Sequence, residues 1–291
     1  MTQTTFIDHF VKSHDGLQLY CREYGRQHQR PGAVTVLCLP GLTRNSRDFY
    51  RLGISLSSTH RVLTPDFRGR GRSAYDPIWQ NYQPATYAQD VITTAQLLQA
   101  DRLFIIGTSL GGLVTMVVAA LRPRLLAGVV LNDIGPDVDP AGLQRIASYV
   151  GKLPPVSSWA EAAAQAKRVN GHALPDLSDD DWMHFAQCTY RNNANGRPLP
   201  DMDPGIAEAL RVAPTGPVDL WPLFEALAKV PTLLIRGGHS DILSQATLED
   251  MRAVKPDLRV LVVPGRGHAP TLDEPLCRSA IRSLLNDLPA A

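Results

Sequence analysis

"GTSLGG", Gly107 to Gly112, stands between the apolar run "RLFII" (Arg102–Ile106) and the apolar run "LVTMVVAAL" (Leu113–Leu121). A lone serine with a glycine two residues away on either side, placed where a strand-like run hands over to a helix-like one, predicts a sharp strand-to-helix turn. Such a turn forces its central residue into a strained conformation, and only small neighbours leave room for it. The Ser109 hydroxyl would then project from the edge of a sheet beside a helix N-terminus, where backbone N–H groups stabilise developing negative charge. A glycine-rich turn with an incidental serine would use the same letters. The strand–turn–helix setting favours a nucleophile.

Outward from this turn, short runs rich in Val, Ile and Leu recur at Val34–Leu39, Arg61–Thr64, Leu103–Gly107, Gly128–Leu131, Thr232–Arg236 and Arg259–Val263. Near-continuous apolarity suits strands covered on both faces, as in a parallel sheet. Helix-like stretches lie between several of them, among them Thr86–Ala100 and Leu110–Leu121. Strand and helix in alternation predict a layered α/β architecture. Near the N-terminus, two runs flank His14-Asp15-Gly16 and predict a hairpin.

The alternation breaks after "VVLNDIGP". Three helices are predicted next. One starts at Asp139 as N-cap with Pro140 at its first position and carries Leu143, Ile146 and Val150 on one face. The second is the alanine-rich "SSWAEAAAQAKRV". The third, "SDDDWMHFAQCTY", has Ser178 and Asp181 at capping-box spacing. The turn-rich Arg191–Gly205 reads as loop. The expected organisation is a core of residues 1–136 and 218–291 with a helical cap, 137–217, over the carboxyl edge of the sheet, where open α/β sheets bind ligands.

Composition excludes several classes. Of 291 residues, 44% are hydrophobic and 20% charged, and the net charge is +1, so no global field gathers nucleic acid or anionic membrane. The arginines of "FRGRGRS" (Phe67–Ser73) have no wider basic stripe around them. The four cysteines are scattered and form no CxxC pair, so neither a disulfide framework nor a zinc site is expected. "GRGRS" lacks dinucleotide-fingerprint spacing, no HExxH pattern occurs, and no cofactor is expected. No Sec-type leader and no run of about 18 apolar residues is visible, which makes the cytoplasm the default compartment. The expected partner is a small-molecule substrate, with the oligomeric state left open.

A serine hydroxyl needs a base to take its proton and a third group to orient that base. After "TLLIRGG" comes "HSDIL", with Asp241 in a loop past a strand; after "RVLVVPGRG" comes His268, again past a strand. Asp241 is the preferred acid. Its rival is Asp133 in "LNDIGP", which a buried structural role would also explain. His9, His14, His28, His60, His172 and His184 sit in polar or helical contexts and read as surface or packing residues.

Five segments, "GTSLGG", "LCLPGLTRNS" (Leu37–Ser46), "PDFRGRGRS" (Pro65–Ser73), "IRGGHSDIL" and "PGRGHAP", resemble the α/β-hydrolase superfamily over nearly the whole chain. Among its subgroups, the chain resembles the capped esterases, enol-lactonases and meta-cleavage-product hydrolases. The resemblance implies that Ser109 attacks a carbonyl carbon, His268 relays the proton and Asp241 orients His268. It implies an oxyanion site made by the backbone N–H groups of Leu110 and Leu42. Pro40 stands where the family's common His-Gly pattern has histidine. Arg44, Tyr149, Trp159, Trp182 and Phe185 are the candidate substrate contacts, with Tyr190 a further cap aromatic and the cap's own core the competing role for the aromatics. The expected activity is hydrolysis of a small or medium ester or lactone through an acyl-enzyme. Cleavage of a C–C bond by the same triad, and a non-catalytic receptor or scaffold on the same fold, are the alternatives.

Overall fold

In the computed structural model, which describes residues 6–212 and 218–289, the first two strands, β1 (Ile7–Lys12) and β2 (Gln18–Tyr24), pair antiparallel. Their turn closes at Gly16, whose φ of 85° suits a residue without a Cβ. The apolar runs become β3 (Thr35–Leu39), β4 (Arg61–Pro65), β5 (Leu103–Thr108) and β6 (Leu126–Asn132). Beyond a small hairpin, β7 (Tyr190–Asn192) and β8 (Pro198–Pro200), come β9 (Thr232–Gly237) and β10 (Arg259–Val263). Eight strands form one sheet in the order β1-β2-β4-β3-β5-β6-β9-β10, parallel from β4 onward.

The helices are α1 (Tyr50–Leu56), α2 (Pro84–Leu97), α3 (Leu110–Leu121), α4 (Pro140–Tyr149), α5 (Trp159–Asn170), α6 (Asp179–Thr189), α7 (Gly205–Arg211), α8 (Trp221–Glu225), α9 (Gln245–Val254) and α10 (Pro275–Asn286). Successive strand residues point to opposite faces, and the two faces are covered by different helices. Leu37, Leu39 and Ile105 pack against α2 and α3, and Val129 and Leu131 against α3, α8 and α9. Val36, Cys38, Phe104 and Ile106 pack with α1 and α10 on the other side. Burial on both faces explains why β3 to β6 read as continuous apolar runs.

Between β6 and β9 the expected helices form. Asp139 caps α4, accepting from the Ala141 N–H at 2.9 Å. Ser178 and Asp181 complete a reciprocal capping box on α6, which shows that the shorter aspartate spans the gap usually bridged by glutamate. Ile146 and Val150 are buried, whereas Leu143 on α4 is 44% exposed, contrary to expectation. The stretch Arg191–Gly205 is more ordered than a loop. Asn193 accepts from the Asn195 and Arg197 N–H groups, Gly196 takes φ 75°, and the turn closes the β7–β8 hairpin. Pro198 and Pro200 lie at the two ends of the three-residue strand β8.

This insertion has its own core around Ala162, Ala166, Leu174, Trp182 and Ala186. Arg47 to Asp201 at 2.6 Å and Arg266 to Asp176 at 2.5 Å tie it to the sheet domain, as does the Tyr82 hydroxyl, which donates to Asp203 at 2.5 Å. The expected boundary at 217/218 adjoins 213–217, which lie outside the described residues. Among the described residues no helix is long and apolar enough to cross a membrane.

Candidate active site

Ser109 sits between β5 and α3 with φ 53° and ψ −117°, a conformation that costs a non-glycine residue about 1–3 kcal/mol and persists only where its surroundings impose it. They do impose it. The Ser109 N–H donates to the Asn132 carbonyl at 3.0 Å, and the Ser109 carbonyl accepts from Gly112 at 2.8 Å. The flanking glycines are required by close approach: a Cβ at Gly107 would lie 2.4 Å from the Gly111 oxygen, and one at Gly111 would lie 2.2 Å from the Leu39 oxygen.

His268, in the loop after β10, brings Nε2 to 2.8 Å from the Ser109 Oγ. Its Nδ1 lies 2.8 Å from the Asp133 Oδ2. Asp133, not Asp241, is therefore the carboxylate on the imidazole. Asp133 follows directly on β6, the strand between β5 and β9, and is completely buried. One of its oxygens accepts from the Gly237 N–H at 2.7 Å, and the other from the Ser240 hydroxyl at 2.7 Å. Asp241, the next residue in the chain, turns outward to a bidentate pair with Arg145 on α4. Burial raises the Asp241 pKa, but the Arg145 guanidinium outweighs it and holds the carboxyl below its usual range.

Asn132 was not anticipated. Its Nδ2 donates to the Thr108 Oγ1 at 3.0 Å and to the Pro270 carbonyl at 2.9 Å, joining the serine turn to the histidine loop. The available signal was its position in "VVLND", beside the acid at the end of a buried strand.

The N–H groups of Leu42 and Leu110 donate to no other group among the described residues. Leu42 lines the cavity of about 410 Å³ that holds Ser109 and His268, and Leu110 directly follows Ser109 in the chain. A Cβ at Gly41 would lie 3.8 Å from that of Ser109, so the Leu42 loop runs beside the hydroxyl. Arg70, fully buried and without a carboxylate partner among the described residues, donates to the Leu42 carbonyl at 2.8 Å and to the Tyr87 hydroxyl at 2.9 Å. The arginine-rich segment thus braces this loop from inside.

Tyr149 and Phe185 line the cavity, as does Arg44. Trp159 and Trp182 do not: Trp182 is 2% exposed within the insertion's core, and Trp159 packs against the same cluster. Small alanines on α5 leave the indoles as that core's main apolar bulk. Arg44 is already engaged. It forms a bidentate pair with Asp48, donates to the Thr189 hydroxyl and stacks 4.0 Å over the Phe185 ring. Burial opposes its charge, the adjacent Asp48 outweighs burial, and its pKa is raised. His184 also lines the cavity, a position its helical context did not suggest. Cys188 lies there too, but burial pushes its thiol up to about 11, which keeps it neutral. Elsewhere, His14, Asp15 and Asp90 have metal-ligand spacing, but both carboxylates are ion-paired with Arg68.

With this geometry in place, the chain matches the model of the "Alpha/beta hydrolase family" over residues 36–279, and it belongs to that family. Hydrolysis is the class of chemistry that membership assigns. An alpha/beta hydrolase from Novosphingobium aromaticivorans is 43% identical, with a TM-score of 0.90, covering 98% of this chain and 99% of that one. A 3-hydroxybutyrate-oligomer hydrolase from Cupriavidus necator is 30% identical over 82% of this chain and 84% of its own length. A 2-(acetamidomethylene)succinate hydrolase from Mesorhizobium japonicum is 28% identical over 90% of each chain.

Proposed function

We propose that this chain hydrolyses a carboxylic ester through a serine acyl-enzyme, with Ser109 as nucleophile, His268 as base and Asp133 as the acid that orients it. The observation that carries the reading is the unbroken relay from the Ser109 Oγ to the His268 Nε2 and from Nδ1 to Asp133, each link 2.8 Å. The Ser109 oxygen bonds to the carbonyl carbon while its proton passes to Nε2. The oxyanion is held by the Leu42 and Leu110 N–H groups. Collapse breaks the ester C–O bond, and the imidazolium returns its proton to the leaving alcohol. Water then adds to the acyl group, His268 accepts its proton, and Ser109 leaves with that proton as the acid is released.

Ion pairing in the cavity supports an ester over a dicarboxylate or a vinylogous keto acid. Among the described residues, the three guanidinium groups on its wall, Arg44, Arg51 and Arg266, all lie within 4.0 Å of carboxylates, and four acidic residues line the same wall. An anionic substrate would find every one of these cations already paired. The insertion 137–217 serves as the cap over this site, and a small molecule is the substrate. The test is a panel of esters, lactones and ring-cleavage products assayed on the wild type and Ser109→Ala. Ester turnover that falls at least about 10³-fold in the variant is expected. Turnover that survives in Ser109→Ala overturns the mechanism, and turnover confined to ring-cleavage products overturns the substrate class.

A further inference from the structure

A second cavity, of about 480 Å³, adjoins the first and shares Thr43, Arg44, Tyr149, Asn170 and Phe185 with it. Thr43 and Arg44 directly follow Leu42, so this space opens on the oxyanion side of Ser109. The Arg44 guanidinium, clamped by Asp48 and stacked on Phe185, stands as a partition between the two compartments. Beyond it the walls are mainly apolar, from Val150 after α4, Ala166 and Val169 on α5, Leu199 on β8 and Met202 after it.

Several polar groups around the second cavity are committed to the protein. The Thr189 hydroxyl donates to the Phe185 carbonyl at 2.7 Å, and the Tyr190 hydroxyl donates to Gln165 at 2.5 Å. Asn170 donates to the Ala166 carbonyl at 3.0 Å, and Arg191 pairs with Asp201 at 3.2 Å. Each of these groups is already held by the protein, whereas a hydrocarbon limb gains by leaving water.

The geometry points to a bipartite substrate site in which the second cavity receives an uncharged, apolar limb of the ester, past the Arg44–Phe185 partition. The inference rests on the ester-hydrolase reading and names its substrate class: esters with one medium-length alkyl or aryl-alkyl arm. A site of this volume is in the range that encloses small organic ligands.

Two series decide it: p-nitrophenyl esters from acetate to decanoate, and acetates of methyl to octyl alcohols. In one series kcat/KM rises about fourfold per methylene until the space is filled, the equivalent of about 0.8 kcal/mol per buried methylene. Val169→Trp, on α5, and Leu199→Trp, on β8, each cut the ratio of long-chain to acetate kcat/KM at least about tenfold. The two lie on different elements, so a folding failure of one leaves the other. Flat profiles in both series, or an unchanged ratio in the folded variants, overturn the inference while Ser109-dependent turnover upholds the hydrolase reading. Calorimetric binding of methyl octanoate and octyl acetate to Ser109→Ala decides the cavity without turnover. Binding of either that weakens when Val169→Trp is added supports the subsite. Binding of neither, or binding indifferent to that substitution, overturns it.

Discussion

Replacing Asp133 by asparagine should nearly abolish turnover, and the structure gives the reason atom by atom. One Asp133 oxygen accepts from the Gly237 N–H at 2.7 Å, a donor that cannot reverse. The amide oxygen of the introduced asparagine must take that place, which puts its NH₂ where Oδ2 now meets the His268 Nδ1 at 2.8 Å. Facing a donor, Nδ1 becomes an acceptor and the imidazole proton moves to Nε2. An Nε2–H pointing at the Ser109 Oγ cannot accept the hydroxyl proton. Enforcing the wrong tautomer in such triads costs about 10⁴ in kcat, or about 5.5 kcal/mol of barrier. Asp241→Asn breaks only a pair with Arg145 whose carboxylate side chain is 33% exposed, an interaction worth at most about 1 kcal/mol. Turnover there should stay within a few-fold of wild type. Initial rates on a p-nitrophenyl ester, with circular dichroism to confirm folding, compare the two variants. A loss above about a hundredfold in Asp241→Asn alongside near-normal rates in Asp133→Asn would refute the assignment.

Two further outcomes are open to measurement. Gly111→Ala forces a Cβ to within 2.2 Å of the Leu39 backbone oxygen, where no flexible side chain can yield. Overpacking of this kind costs about 1–3 kcal/mol, so Tm should drop by roughly 2–5 °C, and melting unchanged from wild type would mean the contact is relaxed at no cost. Asp66 is buried at the start of the arginine-rich segment, accepting from the Ser46 N–H at 2.7 Å and the Arg72 N–H at 2.8 Å. Burial raises its pKa from 3.8 to about 6, against the pull of those bonds. The folded chain then holds this proton more tightly than the unfolded one. Its contribution to stability is fully present below about pH 4 and is lost as pH rises to about 6, by up to about 3 kcal/mol. Unfolding free energies of wild type and Asp66→Asn should therefore diverge with pH over that window, and a difference that stays flat contradicts the shift.

What could be read from the chain alone was whatever depends on neighbours in sequence. The buried strands, the serine turn and the capped helices α4, α5 and α6 are encoded by runs of residues whose periodicity and end signals are local. The family membership, too, was legible in short motifs in their order. Ser109 and His268 were legible because each lies past a strand of recognisable type, Ser109 at once after β5 and His268 in the loop beyond β10. The acid was not. Asp133 and Asp241 both follow strands, and both reach the same corner of the sheet, as the bond from Ser240 to Asp133 shows. Only the adjacency of β5, β6 and β9, and the presence of Arg145 on a helix far upstream of Asp241, sent one carboxylate inward and the other outward. The same holds for Trp182, whose indole could have faced a cavity or a core: packing of α6 against the small alanines of α5 decided it, and Trp159 joins the same cluster. Local propensity determined the elements, and long-range packing and charge pairing, which no window of sequence contains, determined which side chains meet.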